Sequence, residues 1–289
     1  MQDIYQETKY IMNKYKIKAN KSLGQNFLIS EKVVNSIVES SEITKEDLVI
    51  EIGPGLGTLT KELLEKAGKV ICIELDKNMI KILEDRFSLY NNFEVILNDV
   101  LKVDLNSIIK KEKEKNNLKN AKIVANLPYY ITTPIIMKLL EEKLDLESIT
   151  VMIQKEVADR LIAIPGEKDT GAITYAVYYY SVAEKILEVP KESFIPEPEV
   201  TSEVIKLKIR KNEIVDVENK ELMFKIIKNA FMQRRKTLLN ALTNAKIFKS
   251  KEEGKEILKK LKLDENVRAE KLSLEKFAEL NKLIEEYRS

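Results

Sequence analysis

LVIEIGPGLGTLT, residues 48–60, is an apolar run that meets three alternating glycines, Gly53, Gly55 and Gly57, and then turns into a helical pattern. Glycines directly after a strand and before a helix let the backbone pass close to a ligand at the helix N-terminus. The dinucleotide fingerprint G-x-G-x-x-G needs its third glycine at position 58, where this chain has Thr58. GxGxG without that spacing suits a cofactor that lacks a pyrophosphate, and S-adenosylmethionine is the natural candidate. For these residues alone, a plain tight turn between strand and helix is the competing reading.

The pattern continues on the C-terminal side. TLTKELLEKA puts Leu59, Leu63 and Leu64 on one helical face, KVICIEL reads as a strand ending near Asp76, and NMIKILEDRF is helical again. FEVILND ends at Asp99, KIVANL follows the charged stretch KKEKEKNN, and SITVMIQ adds a further strand. Alternation of this kind predicts βαβ units and a parallel sheet, an α/β fold of Rossmann-like architecture. AEKILEV and EVIKLKI, separated by the proline-rich FIPEPEVTS, read as an antiparallel pair at the sheet edge.

Three strand ends then fall in register. Glu74 closes the second strand, 17 residues past Gly57, where a carboxylate can accept both ribose hydroxyls of an adenosine. Asp99 closes the third, placed to accept from an adenine amino group. Asn126 closes the fourth and opens NLPYY (residues 126–130). An exocyclic adenine amine is a poor nucleophile because its lone pair is delocalised into the ring. Two acceptors on its hydrogens can aim that lone pair at a sulfonium methyl. The Asn126 side chain is one acceptor, the backbone carbonyl of Leu127 or Pro128 the other, and Tyr129 can stack on a flipped base.

Composition narrows the chemistry. The 289 residues contain no histidine, which removes the Ser-His-Asp triad and HExxH zinc chemistry, and no metal is expected. With Cys72 the only cysteine, no apolar run near the length of a membrane span, and no apolar core like that of a signal peptide in the first 20 residues, a cytoplasmic protein without membrane attachment is expected. After Arg210 the pattern is helical only, with Met223, Ile226, Ile227, Ala230 and Phe231 at helical spacing and SKEE (residues 250–253) matching a capping box. Two domains are therefore expected, residues 1–211 with an N-terminal extension and residues 212–289. Residues 206–289 hold 22 Lys+Arg against 14 Asp+Glu, a net of +8, whereas residues 1–205 hold 27 against 33, a net of −6. The helical part has the sign expected of a nucleic-acid partner, with solvated Lys/Glu helices as the alternative.

Taken in order, these motifs resemble the ribosomal RNA adenine dimethyltransferases of the KsgA/RsmA type over residues 21–280. KSLGQNFL (residues 21–28), EIGPGLGTLT, IELD, NLPY, FIPEPEVTS, FMQRRKTLLNAL (residues 231–242) and RAEKLSLEKFAEL all have counterparts in that family's pattern. The resemblance implies that Gln25, Asn26, Leu28, Gly53, Gly55, Glu74, Asp99 and Asn126 bind S-adenosylmethionine. It implies that Asn126 and Pro128 grip the target amine with Tyr129 and Phe194 near the base, and that Arg234, Arg235 and Lys236 contact RNA. The implied reaction is dimethylation at N6 of two adjacent adenosines near the 3′ end of small-subunit ribosomal RNA, by a monomer acting on a pre-assembled small subunit. One departure is KDTGAIT (residues 168–174), where the family has an aromatic before the glycine and this chain has Thr170. The alternatives are an erythromycin-resistance-type dimethylase of large-subunit RNA, against which QRRKTLLNAL argues, and an assembly factor acting mainly by RNA binding.

Overall fold

The computed structural model describes residues 3–20, 23–167, 169–233 and 235–288. In chain order its main elements are α1 (Ile4–Lys14), β1 (Phe27–Leu28), α2 (Glu31–Ser40), β2 (Asp47–Ile52), α3 (Thr58–Lys66), β3 (Lys69–Glu74), α4 (Lys77–Phe87), β4 (Phe93–Leu97), α5 (Leu105–Asn116), β5 (Asn120–Asn126), α6 (Thr132–Glu141) and β6 (Ser148–Gln154). They continue with α7 (Lys155–Ile162), α8 (Ala172–Tyr180), β7 (Ser181–Val189), β8 (Phe194–Ile195), β9 (Ser202–Ile209), α9 (Lys220–Met232), α10 (Leu238–Asn244), α11 (Lys251–Lys260) and α12 (Leu274–Glu286). The chain divides into two compact units, one made of residues up to Ala158 with Ala183–Ile209, the other of Asp159–Val182 with the chain from Arg210 on.

The first unit carries a seven-stranded sheet in the order β4-β3-β2-β5-β6-β9-β7. β2, β3, β4, β5 and β6 run parallel, and β9 returns antiparallel to β6. β2 and β3 are buried along their whole length, as strands covered on both faces must be, and this is why they read as continuous apolar runs. The winding direction reverses between β2 and β5, so a crevice opens at the carboxyl ends of those two strands. β7 and β9 lie side by side at the sheet edge, as the alternation in AEKILEV and EVIKLKI predicts. Before Leu48 the structure adds two helices and a short strand. α2 buries Val33, Val34, Ile37 and Val38, and β1 pairs with β8 in register Phe27↔Ile195 and Leu28↔Phe194.

Polar groups are buried at both ends of the sheet. At the amino ends of the parallel strands Lys122 (3% exposed) reaches Asp47 (0%) at 2.9 Å, and Asn120 donates to the same carboxylate at 2.9 Å. Toward the carboxyl end Glu51 is 2% exposed, accepts from the Thr60 hydroxyl at 2.6 Å and lies 3.5 Å from the Cys72 sulfur. Burial pushes the Glu51 carboxyl up to about 7, and burial likewise raises the Cys72 thiol.

The second unit is helical, and the division differs from the boundary expected at residue 212. Asp159–Val182 joins the helical unit because α8, AITYAVYYY, is apolar and aromatic on most of its surface. Tyr175 (0% exposed) and Tyr179 (3%) sit in a core with Met223, Ile226, Leu238 and Phe277. The Tyr175 hydroxyl donates to the Leu272 carbonyl at 2.6 Å and its ring meets Phe277 edge-on. Thr170 is buried and donates to the Glu167 carbonyl at 3.3 Å, while Lys168 of the same loop lies outside the described residues. At α11 Ser250 caps the helix by accepting from the Glu253 N–H, as its sequence predicts, while the Glu253 carboxylate accepts from the Lys249 N–H, one residue before the Ser250 N–H that a capping box uses. No helix among the described residues is long and apolar enough to cross a membrane.

Two consequences are measurable. A Cβ at Gly57 would stand 2.6 Å from Phe87 and 2.9 Å from Leu83 on α4, at a φ of +81°. Gly57→Ala therefore combines overpacking with left-handed strain and should destabilise by about 2–4 kcal/mol in urea unfolding. The second consequence concerns Glu51. The folded state holds its proton more tightly than the unfolded chain does, so stability is present below the ordinary value of 4.5 and lost as pH rises to about 7. Relative to Glu51→Gln, the wild type should lose about 3 kcal/mol across that window. A pH-independent difference between the two proteins would show that the carboxyl is already ionised when buried.

Candidate functional site

The crevice at the β2/β5 switch is a cleft lined by the turn after β2, the ends of β3 and β5, and the segment Gln25–Leu28. Its floor is the turn after β2. Gly53 and Gly55 have φ of +66° and +56°, a region that a side chain disfavours. The Gly53 N–H donates to the Ile73 carbonyl at 3.0 Å, which ties the turn to β3. Gly57 belongs to the packing of α3 on α4 and is not among the residues lining the cleft.

Glu74 ends β3 beside that turn and is 7% exposed. Its Oε1 accepts from the Leu75 and Asp76 N–H groups at 2.7 and 2.8 Å, and its Oε2 from the Gly55 N–H at 3.3 Å. Burial raises this carboxyl, and the three backbone bonds pull it back. A carboxylate has about four lone-pair sites, so Glu74 keeps one open, on Oε2. Asp99, just past β4, lines the same cleft, where its Oδ1 caps the short helix Val100–Lys102 by accepting from the Leu101 N–H at 3.0 Å.

Asn126 ends β5 on the other side of the switch. Its Nδ2 donates to the Asn26 carbonyl at 3.3 Å, which leaves Oδ1 as the group able to accept. Pro128 follows at φ −60° and ψ 130°. Its carbonyl accepts both the Ile131 N–H at 3.3 Å and the Thr132 hydroxyl at 3.1 Å, so both lone pairs are engaged. No donor among the described residues reaches the Leu127 carbonyl. Of the two backbone acceptors the sequence leaves open, Leu127 is the one with capacity. The Tyr129 hydroxyl is fixed at 2.5 Å from the Ser202 hydroxyl on β9, and burial raises its phenol.

The segment Gln25–Leu28 closes the cleft from above. Asn26 and Leu28 line it, and Phe27 packs 3.5 Å from where a Gly55 Cβ would stand. Gln25 is held by donating to Asp76 at 3.0 Å and accepting from the Asn20 N–H at 2.9 Å. Local sequence gives no independent reason to place these residues here, because the β1–β8 pairing that brings them in is non-local. Lys21, the first residue of that motif, lies outside the described residues.

Phe194, expected near the base, is not among the residues lining the cleft. It pairs with Leu28 across β8, is 2% exposed, and belongs to the core beneath the cleft. In the other direction, the sequence reading leaves out Glu51, which lines the cleft wall. The signal was an acidic residue inside a fully buried apolar strand. In the helical unit Arg235 and Lys236 are exposed in the turn between α9 and α10, while Arg234 lies outside the described residues.

Comparison with known proteins adds an independent line. The sequence model of the ribosomal RNA adenine dimethylase family matches residues 16–286. The ribosomal RNA small subunit methyltransferase A of Alkaliphilus metalliredigens is 51% identical over 278 residues, covering 96% of each chain. That of Clostridioides difficile is 49% identical, covering 96% of this chain and 94% of its own. A dimethyladenosine transferase from Plasmodium falciparum has a similar structure, with a TM-score of 0.73 and 27% identity over 91% of this chain and 98% of that one. The 23S rRNA methyltransferase ErmE shares the fold, with a TM-score of 0.66 and 22% identity over 90% of this chain and 100% of that one. By this match over nearly its full length, the chain belongs to the ribosomal RNA adenine dimethylase family.

Proposed function

We propose that this protein transfers methyl groups from S-adenosylmethionine to N6 of adenines in small-subunit ribosomal RNA. The substrate assigned here is a pair of adjacent adenosines near the 3′ end, each receiving two methyls, in a small subunit already assembled. The relatives named small subunit methyltransferase A support the choice of RNA. The reaction type rests on one observation: an amide oxygen at Asn126 and an unengaged carbonyl at Leu127 lie one residue apart, across the switch point from the glycine turn.

The cleft suits the methyl donor. Gly53 and Gly55 present bare backbone, the open site on Glu74 takes a ribose hydroxyl, and Asp99 stands where an adenine amino group would donate. With three of its sites already filled, Glu74 takes one hydroxyl in this geometry, where its position in the sequence suggests two. When bound, the cofactor supplies an electrophilic methyl on sulfonium. The protein supplies orientation. Asn126 Oδ1 and the Leu127 carbonyl accept the two N6 hydrogens, which draws the nitrogen lone pair out of conjugation. The fixed φ of Pro128 holds that carbonyl's direction, and Tyr129, anchored on Ser202, forms the wall against which the base stacks. Positioning carries most of the rate, so the absence of histidine is no handicap.

The direct test is nucleoside mass spectrometry of both ribosomal RNAs after incubating undermethylated subunits with the protein and labelled S-adenosylmethionine. Dimethyladenosine should appear in small-subunit RNA only; label in large-subunit RNA would assign the erythromycin-resistance-type activity. In the same assay under single turnover, Asn126→Ala should lose ~10²–10³ in rate, the scale of deleting one preorganised polar group at a reacting centre. Wild-type turnover in that variant would remove Asn126 from the chemistry. RNA affinity should fall steeply with salt, and replacing Arg235 and Lys236 by alanine should flatten the log–log slope by up to about 2. An unchanged slope would make that turn a solvated face.

A further inference from the structure

α1 precedes the segment matched by the family, residues 16–286, yet it is tied to α3 and α4 at both of its ends. At its C-terminal end, Lys14 lies 3.2 Å from the Asp85 carboxylate, which also accepts from the Tyr15 hydroxyl. Nearer its N-terminus, one Glu7 oxygen takes Arg86 and the other lies 3.4 Å from Lys61. The Arg86 side chain is only 12% exposed. Its second arm, Nη1, donates to the Leu56 carbonyl. Leu56 is 1% exposed, lines the cleft, and sits between the left-handed Gly55 and Gly57.

We propose that Glu7 is a positioning residue for the methyl donor: by pairing with Arg86 it keeps that guanidinium on the Leu56 carbonyl and holds the glycine turn in its binding shape. The inference rests on the cofactor reading above.

A guanidinium carries a permanent charge and only donors. Largely buried, it needs an anion to stay where it is. With Glu7 neutralised, Arg86 turns toward water and the Leu56 carbonyl loses its donor. The glycine turn is held through its backbone, since its glycines carry no side chains. Its backbone anchors are Gly53 N–H to Ile73, Gly55 N–H to Glu74 and Gly57 N–H to Pro54, at 3.0, 3.3 and 2.9 Å. The last of these holds the peptide between Leu56 and Gly57 by its N–H, and Arg86 holds the same peptide by its carbonyl, so without Arg86 that plane is pinned on one side only. A turn sampling several shapes binds its ligand with an affinity scaled down to the fraction of time it spends in the binding shape. Once the ligand is bound, the turn is ordered and methyl transfer proceeds at its normal rate.

Glu7→Gln tests this, because it keeps shape and an acceptor while removing the charge. Calorimetry with S-adenosylhomocysteine should show affinity reduced about tenfold, the scale of one charge-assisted hydrogen bond. KM for S-adenosylmethionine should rise in proportion while kcat at saturation stays within twofold. Lys61→Met, which touches only the other Glu7 oxygen, should leave affinity unchanged. In an Arg86→Met background, Glu7→Gln should have no further effect. Wild-type affinity in Glu7→Gln, or a full Glu7→Gln loss that persists without Arg86, overturns the proposal. A drop in kcat instead of a rise in KM would do the same. If the wild-type protein itself fails to bind S-adenosylhomocysteine, the methyl-donor reading falls and the proposal with it.

Discussion

Within five residues the chain must leave a buried strand, make three left-handed steps at Gly53, Gly55 and Gly57, and enter a helix whose start lies against Phe87 and Leu83 of α4. Each step serves a different need. Gly53 lets the turn bond back to β3, and Gly55 offers its N–H to Glu74. Gly57 leaves room for Phe87 and Leu83, so α3 and α4 can pack closely. The same helix α4 carries Arg86 and Asp85, the groups that receive α1. The cleft floor and the helical layer outside it are thus two faces of one backbone constraint.

Much of the site was legible in the sequence because a parallel sheet delivers strand ends to one edge. Glu74, Asp99 and Asn126 could be placed together from their spacing alone, and the cleft gathers all three. What stayed hidden depends on contacts that local spacing does not encode. Gln25 and Asn26 reach the cleft through a two-residue strand pairing across more than a hundred residues. Phe194 lies in a motif that looks exposed and proline-rich, yet the same pairing turns its ring into the core. The choice between Leu127 and Pro128 turns on which carbonyl is already engaged, and the Thr132 hydroxyl that decides it looks like an ordinary helix-start residue. α8 follows the sheet strands in sequence, but its aromatic surface is buried with the later helices.

The two ends of the sheet use buried charge in opposite ways. At the amino end Asp47, Asn120 and Lys122 satisfy one another, and burial there is matched by partners. At the carboxyl end Glu51 has a hydroxyl and a thiol for company, and no cation among the described residues pairs with it. A carboxyl so placed is held near neutral pH between its two forms. It sits beneath the turn on which a cationic cofactor is proposed to bind. The strand ends proposed to bear function are also where the fold tolerates an unbalanced group.

The engagement of the Pro128 carbonyl has a consequence for how such a protein can be dissected or disarmed. On the proposed reading, half of the grip on the target amine is a main-chain oxygen at Leu127, and no side-chain replacement deletes a main-chain oxygen. A saturation scan would therefore light up Asn126 and pass over position 127, scoring as tolerant a residue whose peptide carbonyl helps hold the amine. Only a backbone edit, such as an ester or thioamide in place of that peptide bond, would bring the hidden half of the site into view.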